Sequence, residues 1–223
     1  MADLSELAVL PATEQPFSVL YEDEQLLIVS KPAKLLTVPG RHPANKDCLI
    51  SRVQREWPTA SVVHRLDYDT SGIVLLPLTK RALSELSKQF QARTITKQYQ
   101  AIVSGLIDKM QGEINLPIAP DPANRPCYKI CNESGKPSLT FYQVQYRDEA
   151  NNQTRLLLTP VTGRSHQLRL HLQATGHPIA GDPFYGPQDN IDTAGRLLLH
   201  ACSIRFTHPL TGEQMVQDNP PEF

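Results

Sequence analysis

The order of its apolar runs constrains this chain more than any other feature. "KQYQAIVSG" and "SLTFYQVQYR" alternate in the manner of half-buried strands, while "TRLLLTPV" and "RLLLHACSIRF" read as more deeply buried ones. Helical patterns are fewer and do not alternate with these runs. A chain without strict βαβ alternation points away from a doubly wound parallel sheet. It predicts an α+β protein on a mixed, mostly antiparallel sheet with flanking helices. With 223 residues, 40 % of them hydrophobic, one large core can close.

Residues 1–16 are polar, end in Pro16 and read as a loose N-terminal arm. No repeat, low-complexity segment or linker divides 17–223, which reads as one domain. "FSVLYEDEQLLIVSKP" predicts a hairpin about the acidic turn Glu22-Asp23-Glu24. Helical spacing in "KDCLISRVQREWP" suggests a helix with Asp47 as N-cap and Pro58 as stop, leaving Arg52 and Arg55 off its apolar stripe. Thr79 can cap a second helix, "KRALSELSKQFQAR", lined on one side by Leu83, Leu86 and Phe90. A third, "SHQLRLHLQATGH", has Ser165 as candidate N-cap and Gly176 as left-handed stop. The proline-rich "NLPIAPDPANRPCYK" reads as loop, since proline has no place in central strands.

Several classes of function are disfavoured. The N-terminus lacks the basic start and apolar stretch of a signal peptide, and no apolar run approaches the ~20 residues of a membrane helix. A soluble, cytoplasmic protein is expected. Four cysteines include one C-x-x-x-C pair and no second pair at zinc spacing, so reduced thiols and no metal are expected. His166 and His171 are five apart without an adjacent glutamate, unlike a helical zinc-protease site. Neither a glycine-rich phosphate loop nor a G-x-S-x-G elbow is present. The net charge of −1 exerts no global pull on nucleic acid, so an RNA partner would need local basic patches. Lys80 to Lys97, Arg52 with Arg55, and Arg164 to His171 are the candidates.

Two segments concentrate chemistry-bearing residues. "SVVHRLDYDTSGIVLLPLTK" sets His64, Arg65, Asp67 and Asp69 between two apolar flanks. As a bare motif it fits a capping turn as well as a catalytic loop held by a rigid scaffold, and Asp67 with Asp69 is a weak candidate for a glycosidase pair. "TGRSHQLRLH" gathers Arg164, His166, Arg169 and His171 with no carboxylate nearby. This suits either a solvated basic face or an arginine seeking a distant acid, for which Asp67 is a candidate.

Taken in order, "HRLDYDTSGIVLLPLTK", "KQYQAIVSG", "TPVTGRSHQLRLHLQATGHPIAGDPFYG" and "RLLLHA" resemble the RluA family of RNA pseudouridine synthases, from about Val19 to Phe223. The resemblance implies the pseudouridine synthase fold with a central active-site cleft, and one catalytic domain over 17–223 with no S4-like domain before it. It implies Asp67 as nucleophile, Tyr99 packing against the target base, Arg169 pairing with the aspartate, and Leu199 lining the pocket. Arg65, Arg164 and His166 become candidate substrate contacts, and no cofactor is implied. "NRPCYKICNESGKPSLTFYQV" is most like the dual-specificity branch, which implies a large-subunit ribosomal RNA stem-loop and a tRNA anticodon stem-loop as partners. The sequence carries no coiled coil or long apolar face, so a monomer is expected. A uridine isomerase of other specificity and a non-catalytic RNA-binding protein are the alternatives. The chain departs from the pattern at Lys34 of "KPAKLLTVPG", where relatives often carry a small residue or glycine.

Overall fold

The structure is a computed structural model describing residues 8–187 and 194–223. It forms two compact units, Met1–Ile95 with Ile204–Asn219 and Thr96–Ser203 with Pro220–Phe223. The chain crosses between them at the start of β4 (Thr96–Ser104), within β10 (Leu199–Thr207) and after Asn219 rather than at linkers, which is why composition carries no trace of the division.

In the first unit, β1 (Ser18–Glu22) and β2 (Leu26–Lys31) form the expected antiparallel hairpin. Asp23 closes it, its Oδ1 accepting from the amides of Gln25 at 2.7 Å and Leu26 at 2.9 Å. Such local side-chain bonds make aspartate a turn residue. β3 (Ser71–Pro77) pairs antiparallel with β2, Lys31 opposite Gly72, and is buried throughout. The second half of β10 (Leu199–Thr207) and then β11 (Gln214–Asp218) extend this unit's order β1-β2-β3-β10. Leu26, Ile28, Ile73, Leu75, Ile204 and Phe206 form its core. Helix α2 (Lys80–Ala92) adds Leu86 to that core, with Thr79 Oγ1 capping the Ala82 amide at 3.1 Å.

Three local expectations change here. The short helix α1 (Leu49–Val53) has Cys48 as N-cap, because the Asp47 carboxylate is taken by Arg52 Nε at 2.8 Å. Val62 and Val63 form no strand and are half-buried, so the charged stretch is held by a strand on one flank only. The arm is stitched down over its described residues; the first seven lie outside them. Asn45 bonds Ala8 and Leu10, Arg52 bonds Thr13 and Gln15, and Tyr68 Oη donates to the Pro11 carbonyl at 2.8 Å.

The second unit has the order β10-β4-β9-β8-β5, built from the first half of β10, β4 (Thr96–Ser104), β5 (Gln111–Asn115), β8 (Leu139–Asp148) and β9 (Gln153–Pro160). The β4–β9, β8–β9 and β5–β8 pairings are all antiparallel. β9 alternates rather than being buried throughout: Thr154, Leu156 and Leu158 face inward while their neighbours are half-exposed. Helix α3 (Gln167–Ala174) packs Leu168 and Leu172 into the core with Leu156, Leu158 and Leu199. The proline-rich segment is not wholly loop. It holds a two-stranded ribbon, β6 (Ile118–Pro120) and β7 (Tyr128–Ile130). The outer edge of β6 is bridged by Lys136 at Ile118, and Pro120 sits at the end of this short strand, where a missing amide is tolerated.

Candidate active site

In the first unit the candidate nucleophile lies in the loop between Val63 and β3. Asp67 is half-buried and Arg65 is exposed. His64 Nε2 accepts from the Leu75 amide at 2.9 Å, and the ring stacks on Phe90 with centroids 4.9 Å apart. This orients the start of the loop. A neutral ring so bonded carries its proton on Nδ1. Leu66 and Tyr68, on either side of Asp67, are bonded to the segment following β2: Thr37 Oγ1 meets Leu66, and the Leu35 amide donates to the Tyr68 carbonyl at 3.2 Å. Lys34 makes that turn with φ 59°. Glycine adopts such a conformation freely, and lysine does so at about 1–2 kcal/mol of steric cost.

The second unit holds the remaining candidates. Tyr99 on β4 and Leu199 on β10 belong to one cluster, Leu199 buried and Tyr99 partly so. Helix α3 is entered at His166 with φ 55°, so His166 rather than Ser165 is the N-cap. Gln167 fastens this start: its Oε1 accepts from Thr162 Oγ1 at 2.8 Å and the Arg164 amide at 3.0 Å, and its Nε2 donates to the Leu139 carbonyl at 3.0 Å. Arg164 Nε is buried with no hydrogen-bond partner among the described residues. Gly176 has φ 83° and ends the helix as expected.

Arg169 is 1 % exposed and joins Asp182, itself 0 % exposed, through two parallel bonds: Nε to Oδ2 at 2.8 Å and Nη2 to Oδ1 at 2.6 Å. Bidentate geometry of this kind offsets much of the cost of burying both charges. Asp182 Oδ1 also accepts from the amides of Phe184 and Tyr185, whose rings lie 5.0 and 5.4 Å from the guanidinium carbon. Tyr185 Oη meets His166 Nδ1 at 2.8 Å and accepts from the Tyr128 amide at 2.9 Å. Burial, most of all, pushes the Tyr185 phenol up to about 12.

Sequence reasoning missed Asp182, Phe184 and Tyr185, all within "GDPFYG". Gly181 supplied the available signal. Its φ is 73° and an added Cβ would stand 1.9 Å from the Arg196 carbonyl, so only glycine fits before the aspartate. Asp67 was the acid expected for Arg169. That pair is divided between the two units, and the partner within Arg169's own unit is Asp182.

Two expected basic patches shrink. Arg169 and His171 are interior, while Arg52 is bound to Asp47 and the arm. Exposed Lys80, Arg81, Lys88 and Arg93 remain on α2 and at its end. His171 Nε2 meets the Leu116 carbonyl at 3.0 Å and Nδ1 meets Thr140 Oγ1 at 2.9 Å. Burial pushes this imidazole below its usual range against the opposing Leu116 bond. The unfolded chain protonates the ring below about pH 6.5 while the folded chain resists, so this contribution to stability is complete above that pH and lost as pH falls toward the folded value. The expected NMR result is a His171 titration midpoint below the ordinary imidazole value of about 6.5; a midpoint at or above it would contradict this. Among the described residues no cluster of three histidine, cysteine, aspartate or glutamate side chains could hold a metal, and no helix is long and apolar enough to cross a membrane.

Comparison with known proteins places these groups in context. The RNA pseudouridylate synthase family pattern matches residues 25–174. The dual-specificity RNA pseudouridine synthase RluA of Pasteurella multocida is 46 % identical over 97 % of this chain and 99 % of its own length. The protein of the same name from Yersinia pestis is 49 % identical over 88 % of this chain and 95 % of its own. Among solved structures, human RNA pseudouridylate synthase domain containing 1 matches with a TM-score of 0.79 and 30 % identity, covering 96 % of this chain and 86 % of that one. With that pattern spanning most of the chain and relatives matched along nearly their whole length, the chain belongs to the RNA pseudouridylate synthase family.

Proposed function

We propose that this protein isomerises uridine to pseudouridine at defined positions in structured RNA, acting on both a large-subunit ribosomal RNA stem-loop and a tRNA anticodon stem-loop. The observation that carries the dual specificity is identity of 46 % to a dual-specificity relative across 97 % of the chain. The cytoplasm, where both RNAs are made and used in bacteria, is the proposed compartment, and the acting form is a monomer without cofactor.

The reaction breaks the C1′–N1 bond, turns the uracil, joins C1′ to C5 and releases the C5 proton while N1 regains one. Atoms and electrons balance without an imported group. A carboxylate that can form and release a covalent bond fits this sequence. In the proposed reading Asp67 is that nucleophile. Half-burial leaves its carboxylate reachable, and a hydrogen-bonded loop holds its backbone. The target uridine must first leave its stack, at a cost of a few kcal/mol that is least in a loop. Exposed Arg65, two residues away, would fill the vacated space by stacking its guanidinium on neighbouring bases. Arg169 supplies positive charge, while Arg164 and His166 contact the RNA. Arg164 as a residue is half-buried, and its guanidinium would suit a phosphate oxygen.

Tyr99 either packs against the uracil or moves its proton, with Leu199 beside it in the same cluster. Packing is the expected role. Tyr99→Phe therefore retains turnover within about threefold in single-turnover assays, whereas loss by about a hundredfold or more would assign the hydroxyl a proton-transfer step. Base-resolved mapping of pseudouridine in RNA from cells lacking the protein tests the whole reading. Loss of one ribosomal and at least one tRNA site is expected; unmodified profiles in either RNA class would restrict or overturn the dual assignment.

A further inference from the structure

We propose that Thr37 is a positioning residue for the Asp67 nucleophile, acting through the backbone of Leu66. The proposal rests on the reading of Asp67 given above. Residues 62–70 form no strand, so the polar backbone groups of Leu66 have no ladder partner. Leu66 is nonetheless 6 % exposed, and buried amides and carbonyls demand partners. One atom serves both: Thr37 Oγ1 donates to the Leu66 carbonyl at 2.9 Å and accepts from the Leu66 amide at 3.1 Å. A hydroxyl, with one donor and two acceptor sites, can do this; a methyl cannot.

Thr37 is itself fixed. It is 2 % exposed, its carbonyl accepts from the Ile50 amide at 3.2 Å, and the preceding Leu36 carbonyl accepts from Leu49 at 2.7 Å. The hydroxyl is thereby anchored to buried helix α1. On the far side of Asp67, the Tyr68 carbonyl accepts from the Leu35 amide at 3.2 Å and from Lys31 Nζ at 3.4 Å. Tyr68 is further tied by its phenol to Pro11. The loop closes on itself where the Thr70 amide reaches the Asp67 carbonyl at 3.2 Å. The far side has several tethers, whereas the near side has both its groups on one oxygen. Removing that oxygen releases the peptide that sets the direction of the Asp67 Cα–Cβ bond.

A shift of the nucleophile by about an ångström is worth up to roughly a hundredfold in rate, without altering RNA contacts elsewhere. Thr37→Val keeps the shape and removes the hydroxyl. With an anticodon stem-loop RNA carrying tritium at uridine C5, Thr37→Val is expected to lower kcat by roughly tenfold to a hundredfold while KM stays within about twofold. Thr37→Ser, which restores the oxygen alone, is expected to recover kcat. A folded Thr37→Val enzyme with unchanged kcat overturns the proposal, as does a raised KM at constant kcat or a serine variant no better than valine. Should the valine variant not fold, Thr37→Cys against Thr37→Ser poses the same question with a weak hydrogen-bonding atom of similar size: slow cysteine and active serine support it, equal rates overturn it. Asp67→Asn, assayed alongside, separates the two claims. Turnover by that variant would sink the nucleophile reading, whereas an inert Asp67→Asn beside a fully active Thr37→Val would sink only the positioning role.

Discussion

Asp67→Asn is expected to lose pseudouridine formation by at least about a thousandfold, because a neutral amide cannot form the covalent bond the rearrangement needs. The fold should be indifferent. Asp67 is half-buried, and its own unit employs its backbone carbonyl rather than its carboxylate in the hydrogen bonds that shape the loop. A near-isosteric change at such a position shifts stability by no more than about 0.5 kcal/mol. Single-turnover assays on both proposed RNA stem-loops, with thermal denaturation in parallel, check both halves. Retained turnover within about tenfold would remove Asp67 from the chemistry. Equal loss on both RNAs would mean that one carboxylate serves both substrates.

Asp182→Ala is expected to have the largest effect on stability. It removes the carboxylate that holds the Arg169 guanidinium, 1 % exposed, through two bonds and takes the acceptor from the Phe184 and Tyr185 amides. Breaking a buried pair from one side costs about 3–5 kcal/mol. For a chain of this size that lowers the thermal midpoint by roughly 6–20 °C. The same logic applies to Arg169→Ala: the Asp182 carboxylate left behind would be buried without the guanidinium, so stability falls along with activity. The double variant Arg169→Met/Asp182→Leu separates the two roles of the arginine. Replacing both charges by apolar groups of similar volume should restore most of the midpoint. Turnover should stay low if Arg169 acts on the reaction; recovery of turnover with stability would make the pair purely architectural.

What was legible beforehand follows from the range of each interaction. The hairpin closed by Asp23, the Thr79 cap and the Gly176 stop all depend on atoms within a few residues, so local sequence carries them. Asp47 shows where this fails. It stands correctly for a cap, but the Arg52 guanidinium five residues on competes for the same oxygens. Ser165 likewise loses the cap position to His166, because helix α3 is entered through a left-handed residue braced by Gln167. β9 reads as continuously apolar, yet only alternate side chains reach the core, since a sheet strand shows each face every second residue.

By itself the sequence determined the α+β class, the family pattern and the candidate residues for the reaction, because periodicity and ordered motifs are properties of the chain alone. Tertiary structure decided which acid neutralises Arg169 within its unit, which hydroxyl holds Leu66, and how the N-terminal arm is tied to Tyr68. The physical reason is burial. A charge or backbone group out of water must find a partner within about 3 Å, and only the folded chain brings together residues 13, 29 and 57 positions apart to meet that demand.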